Sequence, residues 1–341
     1  MASVKDFVAK KFEKKAEDGL KDRLNGLSGS GLSEEELFSF AEYNEEEAER
    51  IGYTDYSYWR STVNLFLKNK GAVLILLLMV AIIIFTFVQP YLPNQFDPNK
   101  ANMNAMYLPD RNVPPGDVYR WGTNSIGQDL WSRIWAGTKT SLFIGFSVAC
   151  IEAIIGITMG VLWGYIRKLD FLFTEIYNVL DNIPQTVILI LMSLILTPSV
   201  KTLIFSMCLT GWIGMARFIR NQILIIRDRD YNLASRCLGT PTRKIVMKNL
   251  LPYLVSVIML RMALAIPGAI SNEVFITYIG LGLPNTVPSL GILINEGRQV
   301  MMNAAQRYQL IYPVVILSIV TISFYIIGNA FSDAADPKNH R

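Results

Sequence analysis

Residues 71–88 read GAVLILLLMVAIIIFTFV, and the uncharged run continues to Phe96. A helix needs about 20 mainly apolar residues to cross the hydrocarbon of a bilayer, so this stretch alone assigns the chain to a membrane. Composition agrees. Of 341 residues, 51% are hydrophobic and 18% charged, against about 25% charged in an average soluble chain. The charges are also displaced to one end, with 25 of the 60 in residues 1–70. What remains cannot cover its apolar surface with groups that water accepts. The run starts too far into the chain, and is too long, for the apolar core of a signal peptide, so it is expected to act as an uncleaved anchor.

Five further stretches qualify as spans, giving an all-α integral membrane protein with six transmembrane helices. They are residues 141–165, interrupted by Glu152; 171–196, with Glu175 and Asp181 near its start; 202 to about 217; 251–278, with Arg261 and Glu273; and the uncharged 308–331. Arg60, Lys68 and Lys70 precede the first span, while the next base beyond it is Lys100. Positive residues stay on the cytoplasmic side, which places the N-terminus inside and, after six crossings, the C-terminus inside too. The short loops agree: eight bases fall between Arg217 and Lys248, and one, Lys201, in the outer loop 197–201.

Outside the spans, residues 90–137 carry Pro90, Pro93, Pro98, Pro109, Pro114 and Pro115. Proline at that density denies a continuous backbone ladder, so an irregular external lobe is expected. Its end, 127–137 (GQDLWSRIWAG), reads as one short amphipathic helix with tryptophans at the membrane interface. In the tail, 1–55, Ser33-Glu34-Glu35-Glu36 has the form of a capping box and predicts a helix over 33–49; the first 30 residues read as solvated. Residues 56–70 mix aromatics and bases as an interfacial segment does. The expected order is completed by the first span at 71–89, a five-helix core at 138–332 with a cytoplasmic loop at 228–252, and a C-terminal tail at 333–341.

Several chemistries are excluded. The only histidine is His340, which rules out histidine triads, HExxH zinc sites and histidine relays. Cys150, Cys208 and Cys237 are too scattered for a disulfide framework or a metal site. A net charge of +4 gives no ground for nucleic acid. Residues 27–31 (LSGSG) resemble an ATPase signature, but no G-x-x-x-x-G-K-[ST] phosphate loop accompanies them. No catalytic residue, metal site or cofactor is expected in this chain.

The most informative loop is 230–252, DYNLASRCLGTPTRKIVMKNLLP. It predicts two short helices broken at a turn. Gly239 can adopt the left-handed conformation that ends the first, Thr240 is a fair N-cap, and Pro241 fits the first position of the second. Leu233, Ala234, Cys237 and Leu238 form an apolar face of small and medium residues. On the second helix Ile245, Val246 and Leu250 are apolar, while Arg243, Lys244 and Lys248 can meet lipid headgroups. A bent helix pair with an apolar face in the cytoplasm calls for a partner.

This loop resembles the EAA loop of ABC-importer permeases, in which E-A-A is followed by three residues, a glycine, and about ten residues to a Leu-Pro pair. Ala234, Gly239, Leu251 and Pro252 match; Leu233 and Ser235 stand where the family has glutamate and the second alanine. Residues 121–133 (WGTNSIGQDLWSR), with Gly137 and Thr140-Ser141-Leu142, are similar to the G-T-D-x-x-G-R-D-x-x-S-R…G-x-x-T-S-L run of dipeptide and oligopeptide permeases, with Asn124 and Gln128 departing from Asp and Arg. Residues 279–284 (IGLGLP), Pro288-Ser289, Gly291 and Glu296-Gly297-Arg298 resemble F-L-G-L-G…P-S-W-G…E-G-R, and Ser332-Asp333 with Asp336-Pro337 matches the family ending. The resemblance covers about 56–337 and points to the C-type subunit. It implies the type I importer permease fold, a homologous B-type permease as partner, two cytoplasmic ABC ATPase subunits that bind ATP and magnesium, an extracellular peptide-binding protein, and a place in the lipid of the cell membrane. It also implies alternating access, with Leu233, Ala234, Ser235, Cys237, Leu238, Gly239, Pro241, Leu251 and Pro252 in a force-transmitting loop.

Ionisable groups in mid-membrane cost about 2.5–3.5 kcal/mol on insertion scales. Glu152 and Arg261 are expected to form an interhelical ion pair, and Glu273 to lie nearer an outer gate. Asp181, Asn182 and Pro184, and Pro267-Gly268, read as helix interruptions, which either line a polar pathway or serve packing alone. Peptide import is the leading reading. Nickel or another small solute is an alternative within the family, although the spans offer no imidazole. An ion-driven secondary transporter is another, but it would usually show inverted repeats, and none is found. A membrane enzyme has no nucleophile–base constellation to support it.

Overall fold

A computed structural model describes residues 58–335. The expected 33–49 helix, the rest of the 1–55 tail and residues 336–341 lie outside the described residues. Those described are helical apart from the lobe and short connections, with two isolated bridges (Met103 to Pro109, Thr123 to Asp129) as the only β pairing.

The helices are α1 (Tyr58–Lys68), α2 (Lys70–Val88), α3 (Leu130–Tyr165), α4 (Arg167–Asp181), α5 (Gln185–Ile195), α6 (Val200–Arg227), α7 (Asp230–Cys237), α8 (Thr242–Tyr278), α9 (Leu290–Val300) and α10 (Tyr308–Ala335). Five of these are long and apolar enough to cross a membrane, and the bent pair α4–α5 makes six if it is one broken span. Asn69 divides α1 from α2, its side-chain oxygen accepting the Ala72 N–H at 3.1 Å as an N-cap does. α1 packs along the end of α10, with Phe66 and Phe331 6.1 Å apart.

Four boundaries differ from the sequence reading, each for a local reason. The short helix at 127–137 and the second span are one 36-residue helix, α3. The polar 138–140 stretch between them does not break it because Thr138 and Thr140 return their hydroxyls to the carbonyls of Ile134 and Ala136. The fourth span does not stop near Arg217. α6 runs to Arg227 because its bases are matched sideways: Arg220 grips Asp170 at 2.7 and 3.0 Å, and Arg217 meets Asp181 at 3.8 Å. The second loop helix continues into the fifth span through a π turn at Val246–Leu250, immediately before the Leu251-Pro252 pair. Pro252 has no N–H for the carbonyl one turn back, and a π turn re-pairs the ladder there. α10 continues to Ala335, past the expected end of the core at 332.

α3 is the mast of the fold. At its loop end Gly156, Gly160 and Gly164, four apart, let α6 come close: a Cβ on Gly160 would stand 2.5 Å from the Ala216 carbonyl oxygen. Small residues at this spacing permit such backbone approach in a membrane, where lipid gives no hydrophobic drive to associate. Ile219, Ile223 and Ile226 of α6 then pack with Ile245, Leu250, Leu254 and Ile258 of α8, closing the core beneath the loop.

At the other end the lobe sits on Trp121, Trp131 and Trp135; Trp131 meets the other two and Phe85 edge-on, Trp135 meets Phe85 edge-on, and Trp121 stacks on Tyr312. Asp129 caps α3 through the Ser132 N–H at 2.8 Å. The Asn124 side chain accepts from the Gln128 N–H at 2.9 Å and donates to Glu296 at 3.2 Å. Arg133, wholly buried, reaches the Glu296 carboxylate at 2.9 Å and the Pro98 carbonyl at 3.1 Å. The two stretches quoted above around Asn124 and Glu296 therefore meet in space, tying the lobe to α9. Within the lobe, burial and a 2.8 Å hydrogen bond to Asp110 push the Tyr119 phenol up to about 12.

Candidate coupling site and membrane cavity

α7 is a short helix held by one side and open on the other. Asn232 is its only buried residue. Its Nδ2 donates to the Ile226 carbonyl at 2.8 Å, and its Oδ1 accepts from Asn249 Nδ2 at 3.1 Å. One amide thus fastens α7 to the end of α6 and the beginning of α8. Asp228 adds a charged brace, with Arg227 at 3.1 Å, Arg236 at 3.2 Å and Arg167 at 3.7 Å. The Arg227 hydrogen bond, with help from the other guanidinium groups, holds the Asp228 carboxyl below its usual range.

The opposite face carries Leu233, Ala234, Cys237 and Leu238, all exposed, Leu238 to 85%. Ser235 turns its hydroxyl back to the Tyr231 carbonyl at 2.8 Å. Gly239 ends the helix at φ +76, with the Thr240 N–H on the Ser235 carbonyl and its own N–H on that of Arg236. This is the Schellman arrangement. The next helix is flanked by Pro241 as its cap rather than opened by it, and Thr240 makes no side-chain cap. Ile245, Val246 and Leu250 are buried in the core; Leu251 is half-buried and Pro252 exposed. The second helix thus turns Ile245, Val246 and Leu250 inward while Thr242, Arg243, Lys244, Met247 and Lys248 stay exposed.

Sequence reasoning missed Asn232 and Asn249, whose signal is an amide amid apolar neighbours at the two edges of the loop. Asn232→Leu is expected to loosen α7 by about 1–3 kcal/mol, because the Asn249 amide and a backbone carbonyl lose their partner. Hydrogen exchange checks this: residues 231–238 should exchange faster while the middle of α6 is unchanged, and unaltered exchange in α7 contradicts the anchor.

Inside the membrane the candidates separate. Glu152 and Arg261 do not form the expected ion pair: neither is in any salt bridge among the described residues, and the Arg261 guanidinium lies 4.4 Å over the Phe218 ring instead. Both line one cavity of about 220 Å³ between α3, α6 and α8. Glu273, expected near an outer gate, is not among the residues that line this cavity. It is fully buried, and its carboxylate accepts hydroxyls from Ser289 at 2.7 Å, Ser141 at 3.1 Å and Thr277 at 3.2 Å, which rivets α8 to α3 and to the start of α9. Pro267 does not interrupt its helix; α8 runs through it, and Pro267 itself is buried. Its neighbour Gly268 lines a second cavity of about 160 Å³, with Glu152, Gln185 and Asn272. Asp181, Asn182 and Pro184 do mark a break, a 74° bend between α4 and α5, but all three are exposed and line neither cavity. The residue after the break, Gln185, reaches the cavity in their place.

Residues 155–341 match the family described as binding-protein-dependent transport system inner membrane component, and residues 57–115 match the N-terminal TM domain of oligopeptide transport permease C. The chain is 40% identical over 309 residues to the oligopeptide transport system permease protein AmiD of Streptococcus pneumoniae, covering 90% of this chain and 99% of that protein. It is 31% identical over 308 residues to the dipeptide transport system permease protein DppC of Bacillus subtilis, covering 90% and 94%. A solved structure of the MetNI methionine ABC transporter in an inward-facing conformation aligns with a TM-score of 0.50 at 21% identity, over 58% of this chain and 94% of that one. That last likeness speaks for the fold alone.

Proposed function

The chain belongs to the binding-protein-dependent transport system inner membrane components, and from that membership we infer that it is the C-type permease subunit of an ATP-driven oligopeptide or dipeptide importer. It is a multi-pass membrane protein without a catalytic role of its own. The names of its relatives favour peptide over nickel, and an ABC importer over an ion-driven carrier. Its partners are a B-type permease, two cytoplasmic ABC ATPases that supply ATP hydrolysis, and an extracellular binding protein that delivers peptide. Both termini and α7 then face the cytoplasm, and the lobe faces outward.

One observation carries this reading: α7 turns its apolar residues to solvent while Asn232 ties its back to α6 and α8 together. A helix held this way passes a push on its exposed face into two membrane helices at once. Closure of the ATPase pair would draw the elbows of both permeases together and open the path outward, and hydrolysis would return it. A photo-crosslinking side chain at Leu238 in the assembled complex tests the docking. The expected adduct is with an ATPase subunit; adducts with lipid or a membrane subunit alone contradict it.

A further inference from the structure

The cavity shared by Glu152 and Arg261 lies between α3, α6 and α8, and no side chain among the described residues fills it. Its wall on α6 is stripped of side chains at Gly211 and Gly214. A Cβ on Gly211 would collide with Glu152 Oε1, so this glycine makes the recess in which the carboxylate lies. No atom lies within 4 Å of a Cβ added at Gly214, or at Gly268 in the adjoining cavity. Glu152 has no hydrogen bond or ion pair among the described residues, and Arg261 has only an aromatic ring. Gln185 and Asn272 add neutral donors and acceptors next door.

Two opposite charges left unpaired beside one cavity in a membrane span are costly unless something that enters the cavity uses them. The free space, about 220 Å³, is below the 300–1,000 Å³ or so of sites that engulf whole small ligands. It holds an end of a chain molecule. We propose that this cavity is a station for the charged ends of a peptide in passage, Glu152 receiving the terminal ammonium and Arg261 the terminal carboxylate, one end at a time. Arginine suits the second task because its planar fork meets a carboxylate through two parallel hydrogen bonds. A station of this kind reads the ends and ignores side chains, which suits a path that must release what it binds.

The proposal rests on the peptide-permease reading, and its test is separable from it. Purified complex without the binding protein is probed by saturation-transfer NMR with trialanine, N-acetyl-trialanine and trialanine amide. Wild type is expected to favour free trialanine about twofold over each blocked form, because each blocked probe keeps one of two comparable ways to bind. Glu152→Gln should lose the preference over the acetylated probe and keep that over the amide; Arg261→Gln should do the reverse. Glu152→Asp, which keeps the charge, should retain both, and it replaces Glu152→Gln as the reference for folding. The proposal is overturned if wild type shows no preference among the probes, or if the two neutral variants weaken all three equally, as a structural role would. ATP-driven uptake by reconstituted wild type is measured beside it: uptake without end preference sinks the station alone, and absence of uptake sinks the permease reading.

Discussion

Gly239→Val is expected to lower ATP-driven uptake about tenfold or more, while Gly239→Asn stays near wild type. The two variants separate backbone strain from bulk. A Cβ at this position meets nothing within 4 Å, so a larger side chain has room. What valine cannot tolerate is the backbone at φ +76. The left-handed region costs an L-residue about 1–2 kcal/mol, and a β-branched one more, whereas asparagine visits it routinely. A strained turn relaxes by unwinding the end of α7, which swings Leu238 and Cys237 away from the surface they present. Each 1.4 kcal/mol or so lost in productive docking is a factor of ten. Uptake and ATPase retention are measured together on complexes that insert normally. If valine and asparagine behave alike, the turn geometry does not matter to coupling.

Arg133→Met should destabilise the lobe end by about 3 kcal/mol, because it leaves the Glu296 carboxylate without its counter-charge, held only by the Asn124 amide where a fifth of the side chain meets solvent. It also frees the Pro98 carbonyl of the lobe. Replacing both partners, Arg133→Met with Glu296→Met, should recover much of the loss, since an apolar pair of similar volume is often neutral where a lone buried charge is not. The fluorescence of the tryptophan cluster reports the outcome during thermal unfolding in detergent. A single variant as stable as wild type, or a double variant no better than the single, contradicts the account of this pair.

The features that could be read in the sequence are those set by local chemistry. The uncharged run of α2, the bend beyond Asp181 and the glycine that closes α7 each follow from a few adjacent residues. Features decided by neighbours distant in sequence could not be placed the same way. α6 outran its expected end because Asp170, fifty positions earlier, accepts Arg220. α3 absorbed the lobe's short helix because its threonines satisfied themselves within it. In the membrane, the sequence reading paired Glu152 with Arg261 and set Glu273 nearer an outer gate; three hydroxyls from three segments hold Glu273, and a phenylalanine ring holds Arg261. One signal was present and unread. Gly156, Gly160 and Gly164 recur every fourth residue, a pattern that marks a close helix contact in a membrane, and they set the α3–α6 contact.

The mechanism stands or falls on where the driving energy enters. Proteoliposomes containing this chain and its permease partner, with loaded binding protein outside, can be prepared with and without the ATPase subunits and given an ion gradient in both cases. Accumulation of peptide against its gradient is predicted only when the ATPases and ATP are present. Accumulation driven by the ion gradient, with no nucleotide-hydrolysing subunit in the membrane, would contradict it.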